Sequence, residues 1–130
     1  MKRGDRLPLL RVTVDRTDLT RYADASGDHN PIHHDPDLAR EAGLPGVVVH
    51  GMLLVAHALR VFDRPERVRV ASARFLRPVV VPRDGAVEVL IDAAVAAVEE
   101  SGTAFVDLRV SVADRLVARL TAELEIARDM

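Results

Sequence analysis

His50-Gly51-Met52-Leu53-Leu54-Val55-Ala56-His57-Ala58-Leu59-Arg60-Val61-Phe62 is the stretch that decides the fold. Apart from its two histidines and Arg60 it is apolar on every face of a helix. Such a helix is predicted to be buried rather than to lie on a surface. Over 50–62 it would run for about 20 Å. After it the pattern turns to β. Segment 67–77 alternates imperfectly and carries Arg69, Arg74 and Arg77, and Pro78, Pro82 and Asp84-Gly85 then punctuate a loop. Val87, Val89 and Ile91 alternate with Glu88, Leu90 and Asp92. Val106, Leu108, Val110 and Val112 alternate with Asp107, Arg109 and Ser111. Leu116, Ala118, Leu120, Ala122, Leu124 and Ile126 share a face opposite Arg119, Thr121, Glu123 and Glu125. Strands with one apolar and one wetter face form an antiparallel meander. Helix 50–62 is the one segment apolar enough to cover that sheet. The expected class is α+β, a curved antiparallel sheet wrapped around a long central helix.

Upstream of that helix, 11–15 alternates as a short strand. A first helix is expected over 17–26, with Thr17 as N-cap and Asp18 in the first turn. Leu19, Tyr22, Ala23 and Ser26 fall on one face of it, and Gly27 closes it. The stretch Asp28-His29-Asn30-Pro31-Ile32-His33-His34-Asp35 fits neither helix nor strand, since Pro31 keeps Asn30 extended. Asp35 then caps a second helix that begins at Pro36 and ends at Gly43.

The length of 130 residues predicts one domain over 1–130. Eighteen basic and 20 acidic residues give a net charge of −2, which disfavours nucleic-acid binding by bulk electrostatics. With aromatics at 3%, platforms for stacking bases are scarce. No run of about 18 apolar residues exists, so no membrane insertion by helix is expected. The charged start Met1-Lys2-Arg3-Gly4-Asp5-Arg6 lacks an apolar stretch behind it, which predicts a cytoplasmic protein. The absence of cysteine excludes thiolate and Cys–metal chemistry. All five histidines fall between His29 and His57, a clustering that points to a site.

Within that cluster, Asp28 and His33 sit five apart in a loop stiffened by Pro31. A carboxylate and an imidazole held together can share one water, which suits its addition or removal. The plainer alternative has Asp28 satisfying loop amides and His33 packed in the core. His50-Gly51-Met52 opens the long helix, where amides lack partners and the dipole is positive. Without a side chain, Gly51 lets a thioester carbonyl approach its N–H, which would stabilise an enolate. Alternatively, Gly51 merely lets the chain turn. Asn30 either orients a neighbour or serves the turn before Pro31. Ser26 helps to cap the helix end, and Tyr22 lines either an acyl tunnel or the core. Arg74, Arg77 and Arg83 are available to a phosphate-bearing carrier or form a solvated face. His29, His33, His34 and Asp35 invite a metal reading, but adjacent residues point different ways and no second cluster completes a site. No metal and no cofactor are therefore expected. His57 reads as a hydrogen-bonded core or interface residue.

The run Tyr22-Ala23-Asp24-Ala25-Ser26-Gly27-Asp28-His29-Asn30-Pro31-Ile32-His33 resembles the hydratase motif of MaoC-like (R)-specific enoyl-CoA hydratases. His50-Gly51-Met52 is the family's second landmark. Arg74-Phe75-Leu76-Arg77-Pro78-Val79, followed by Asp84-Gly85, looks like its next strand and turn. The resemblance covers about 6–127 and extends to the single-domain (3R)-hydroxyacyl thioester dehydratase subunits. It implies a hot-dog fold and Asp28 and His33 as a dyad around a water. It implies Gly51 N–H as oxyanion donor, with Asn30, Ser26 and His50 supporting and Tyr22, Met52 and Arg74 toward substrate. The implied reaction is reversible hydration of trans-2-enoyl thioesters carried by CoA or acyl carrier protein, falling off in acid as the imidazole takes a proton. It also implies a homodimer, or a heterodimer with another hot-dog subunit. One departure is Leu59, where some relatives carry a supporting serine. A partner or acyl-binding subunit of a heterodimer is the rival reading, although such a subunit would be expected to lose the dyad. A hot-dog thioesterase would want an acidic residue in 50–62, which holds none.

Overall fold

The computed structural model describes residues 1–126. The order is β1 (Leu10–Asp15), α1 (Arg16–Ser26), a 3-10 turn (Pro31–His33), α2 (Pro36–Glu41) and α3 (Gly51–Ala58). Two further 3-10 turns, Leu59–Val61 and Pro65–Arg67, lead into β2 (Val68–Phe75), β3 (Ala86–Val98), β4 (Thr103–Val112) and β5 (Arg115–Glu125). The strands form one antiparallel sheet in the order β1-β3-β4-β5-β2. Its inner face is aliphatic. Val89 and Ile91 of β3, Leu108 of β4 and Leu120 of β5 join Leu54, Val55 and Ala58 of α3 in one buried cluster. This is the hot-dog arrangement, a sheet curved around a helix. Among the described residues no helix is long and apolar enough to cross a membrane.

Alternation along β3, β4 and β5 follows the pattern expected for a sheet covered on one side. Strand β2 behaves differently. It is an edge strand bonded only to β5, and every residue after Val68 is exposed. Of its inner-face positions Ala71, Ala73 and Phe75, Phe75 meets the first residue of α3, Gly51, and all three stay exposed.

Two expectations are corrected. The first helix begins one residue earlier, and its N-cap is Asp15, not Thr17. Asp15 Oδ1 accepts from Asp18 N at 2.9 Å and Asp18 Oδ2 accepts from Asp15 N at 2.9 Å. This reciprocal capping box satisfies two amides at once, which Thr17, already inside the helix, cannot do. Gly27 ends α1 in the left-handed region at φ 79°, as expected. The central helix is also shorter than 50–62. Regular α geometry stops at Ala58 and tightens into the turn Leu59–Val61. Nor is it buried all round, because Met52 is 62% exposed and Ala56 is exposed too. Among the described residues, the face carrying them is left uncovered.

Asp15→Ala is expected to lower stability by about 1 kcal/mol. Thr17→Ala, on an exposed helical position, should change it by less than about 0.5 kcal/mol. Denaturant unfolding of both variants separates the two caps.

Candidate functional site

The loop after α1 is built from side chains that bond to backbone two residues on. Ser26 Oγ accepts from Asp28 N at 3.1 Å, Asp28 Oδ1 from Asn30 N at 3.2 Å, and Asn30 Oδ1 from Ile32 N at 3.2 Å. Three such turns in succession hold a short polar loop, the last of them capping the 3-10 turn Pro31–His33. Asp35 Oδ1 then accepts from Asp37 N and Leu38 N and starts α2. The backbone is thus set by Ser26, Asp28, Asn30 and Asp35 themselves.

The far side of the loop is tied to the core. Residues 47–49 run extended between Ile32 and segment 79–81: Val48 N donates to Ile32 O, and Val49 N to Val79 O. Val48 O accepts from His33 Nδ1 at 2.7 Å. A carbonyl has no proton to give, so Nδ1 carries the hydrogen, and Nε2 of the neutral ring is a lone pair. That lone pair stands 4.0 Å from Asp28 Oδ2. His33 is buried while Asp28 is exposed. The two roles weighed for Asp28 are therefore divided between its oxygens. Oδ1 satisfies a loop amide, and Oδ2 faces the imidazole.

His50 joins this pair from the start of α3. Its ring stacks on that of His33, with centroids 3.6 Å apart and planes within 19°. Its Nε2 donates to the backbone carbonyl of Asp28 at 3.2 Å. Tyr22, half-buried on α1, meets the same ring edge-on at 4.7 Å. His50 is 1% exposed and its Nδ1 is buried with no protein partner. Burial holds its pKa below the ordinary 6.5, and the adjacent His33 acts in the same direction, while the Asp28 carbonyl opposes both. Gly51 follows as the first residue of α3, so its N–H has no partner inside the helix. Gly51 and His33 line the same groove, about 480 Å³ in volume, whose walls are mostly apolar and include Val49, Leu54 and Phe75.

The remaining predicted residues lie elsewhere. Met52 points away from the core. Arg74 sits on the face of β2 opposite Phe75, in register with Arg119 and through it Arg109. Arg77 lines the groove and donates to Leu116 O. His57 Nδ1 accepts from Arg60 at 3.1 Å, well along the helix from the dyad. Leu59 is half-buried where α3 tightens. The group weighed for metal, His29, His33, His34 and Asp35, does not converge. Asp28, His33 and His50 do, with donor atoms within 4.8 Å of one another. However, the two rings are nearly parallel, and each lone pair lies in its own ring plane, so the nitrogens do not aim at one point. Two participants escaped the sequence reading. The Val48 carbonyl carries no residue-type signal at all. Phe75 could have been found from the period-two set Ala71, Ala73 and Phe75.

Chemically, two groups that only accept hydrogen bonds face each other across 4.0 Å. A water about 2.8 Å from each could donate one hydrogen to the carboxylate and one to the imidazole. Its oxygen lone pairs would then face the groove, beside a helix-start amide suited to a developing oxyanion.

The His50 shift has a consequence for stability. Its folded pKa is depressed, so below pH 6.5 the unfolded chain binds more protons than the folded one. Stability should therefore fall as pH drops from about 7.5 to 5.5. His50→Phe, which takes no proton, should flatten that slope in thermal melts, leaving the contribution of His57, whose pKa burial also lowers.

Residues 4–114 match the family described as "MaoC like domain". The chain is 42% identical over 76 residues to 3-hydroxyacyl-thioester dehydratase X of Mycobacterium tuberculosis, a stretch covering 57% of this chain and 26% of that protein. It thus spans about a quarter of that relative's length. A solved MaoC-like dehydratase superposes with a TM-score of 0.91 at 27% identity, over 98% of this chain and 41% of the other. The (R)-hydratase from A. caviae involved in PHA biosynthesis gives a TM-score of 0.82 at 25% identity, over 98% of both chains. With the family matched over most of its length and the fold shared throughout, the chain belongs to the MaoC-like domain family.

Proposed function

We propose that the chain reversibly hydrates trans-2-enoyl thioesters, or in reverse dehydrates (3R)-3-hydroxyacyl thioesters. The observation that carries this reading is the 4.0 Å gap between Asp28 Oδ2 and His33 Nε2, the nitrogen left as an acceptor in the neutral ring when Nδ1 donates to Val48 O. The relatives' names as dehydratase and hydratase support it. In hydration, the water oxygen attacks C3 while one of its protons passes to the dyad. Negative charge moves onto the thioester oxygen, where Gly51 N–H receives it. C2 then takes a proton back from the dyad, and no group is consumed. The thiol carrier is CoA or an acyl carrier protein.

Supporting roles follow from position. Ser26 and Asn30 hold the loop that presents Asp28, and His50 braces both members of the dyad. Tyr22 backs His50, while Met52 and Arg74 lie away from the groove, so their position gives them no role toward substrate within this chain. We also propose that two hot-dog subunits associate, as a homodimer or with a related subunit, through the exposed strand β2. That edge and the uncovered face at Met52 and Ala56 are the observations that favour association. They equally support the second reading, in which the chain serves chiefly as the acyl-binding partner in a heterodimer.

Purified chain mixed with trans-2-butenoyl-CoA should bleach the conjugated-thioester absorbance. Asp28→Asn and His33→Ala should each slow this by about 10²- to 10⁴-fold with unchanged circular dichroism. Rates within threefold of the native chain would remove the dyad. Sedimentation should give the mass of a dimer, and Val70→Lys should shift it to monomer, since lysine on an edge strand opposes pairing. A monomeric native chain would remove the homodimer.

A further inference from the structure

The groove beside His33 has one aromatic wall. Phe75 ends β2 on the inner face of the sheet, and its ring rests against Gly51. A Cβ placed on Gly51 would lie 2.9, 3.1 and 3.3 Å from three carbons of that ring. Glycine at 51 and phenylalanine at 75 therefore fit as a pair, because any larger residue at 51 would displace the ring. The ring is held on one side only, being 49% exposed at the end of an edge strand. Across the groove the walls are Ile32, Leu44, Val49 and Leu54, all aliphatic.

We infer that Phe75 is the specificity-determining residue of this site, restricting it to acyl thioesters that carry no substituent at C2. This rests on the hydratase reading above. If Gly51 N–H holds the thioester oxygen at about 2.9 Å, C2 lies only two bonds from that oxygen. The reacting carbon is then drawn close to the Gly51 backbone, where the ring already stands. A hydrogen on C2 fits beside the ring. A methyl needs about 3.5–4.0 Å of clearance from each ring carbon, which the seated ring denies. The volume of the groove, about 480 Å³, accommodates an acyl chain. The restriction is therefore local to C2 and not a limit on chain length.

The test compares trans-2-butenoyl-CoA with trans-2-methyl-2-butenoyl-CoA as substrates of the native chain, Phe75→Leu and Phe75→Ala. The intrinsic effect of the methyl group is common to all three proteins and cancels between them. The ratio of kcat/KM for unbranched over branched substrate should fall at least 10-fold in Phe75→Ala, with Phe75→Leu between. One methyl against a packed wall is worth about 10- to 200-fold. The saturated thioesters butanoyl-CoA and 2-methylbutanoyl-CoA, titrated by calorimetry, give the same comparison without chemistry, and their Kd ratio should collapse in parallel. If the native chain hydrates neither enoyl substrate, the hydratase reading falls, and the Kd ratio alone decides the role of Phe75. Ratios unchanged within threefold in both variants, with circular dichroism and melting like the native chain, would overturn the inference.

Discussion

Two backbone carbonyls fix the orientation and tautomer of two stacked imidazoles, and the site depends on that arrangement. Val48 O takes the hydrogen of His33 Nδ1, and Asp28 O takes that of His50 Nε2. Each bond also fastens chain segments that are far apart in sequence. The first ties the loop to the extended run ahead of α3, and the second ties the start of α3 back to the loop. The stacked rings close the circuit. Burial holds the pKa of His50 below its ordinary value, and the ring of His33 stacked 3.6 Å away acts in the same direction. Chemistry, burial and chain connectivity thus converge on the same few atoms.

The remaining architecture holds this circuit in place. The sheet supplies an aliphatic inner face that anchors α3, and the anchored helix fixes where His50 and Gly51 stand. Segment 79–81, between β2 and β3, bonds to 47–49 and so supports the carbonyl that His33 needs. The division of labour is uneven. The core is aliphatic and shape-driven, whereas the loop relies on short-range polar turns. A loop built this way keeps its form with little burial of its own, which leaves Asp28 exposed toward incoming molecules.

What was legible in the sequence was mostly local. Asp35, Gly27 and Pro31 act on backbone within a few residues, so their roles could be read directly. Period-two alternation gave β3, β4 and β5 for a similar reason. The sequence points to Thr17 as the cap, whereas Asp15 takes that place because β1 ends there, a boundary that propensity does not fix. Helix 50–62 read as fully buried because composition counts apolar residues and does not say what covers them. Met52 is apolar and exposed because the described residues supply no cover there. In the site, the pairing of Asp28 with His33 was accessible from the motif. The stacking of His50 on His33 spans sixteen residues of intervening chain and exists only in the folded molecule. Arg74 reads as an available cation in the sequence, yet alternation along β2 turns it to the face opposite Phe75.

The open flank of β2 has a further consequence. Backbone donors and acceptors along a sheet edge are nearly blind to sequence, since every non-proline strand offers the same ladder. A cell that makes several hot-dog chains therefore presents many strands able to pair with this one. Fidelity must come from the side chains that flank the ladder, here Val70, Ser72 and Arg74 among them. Because those residues lie apart from the dyad, mating preference can drift without disturbing the chemistry. If subunits do pair along this edge, such a fold can change partners while the loop and helix of the site stay as they are.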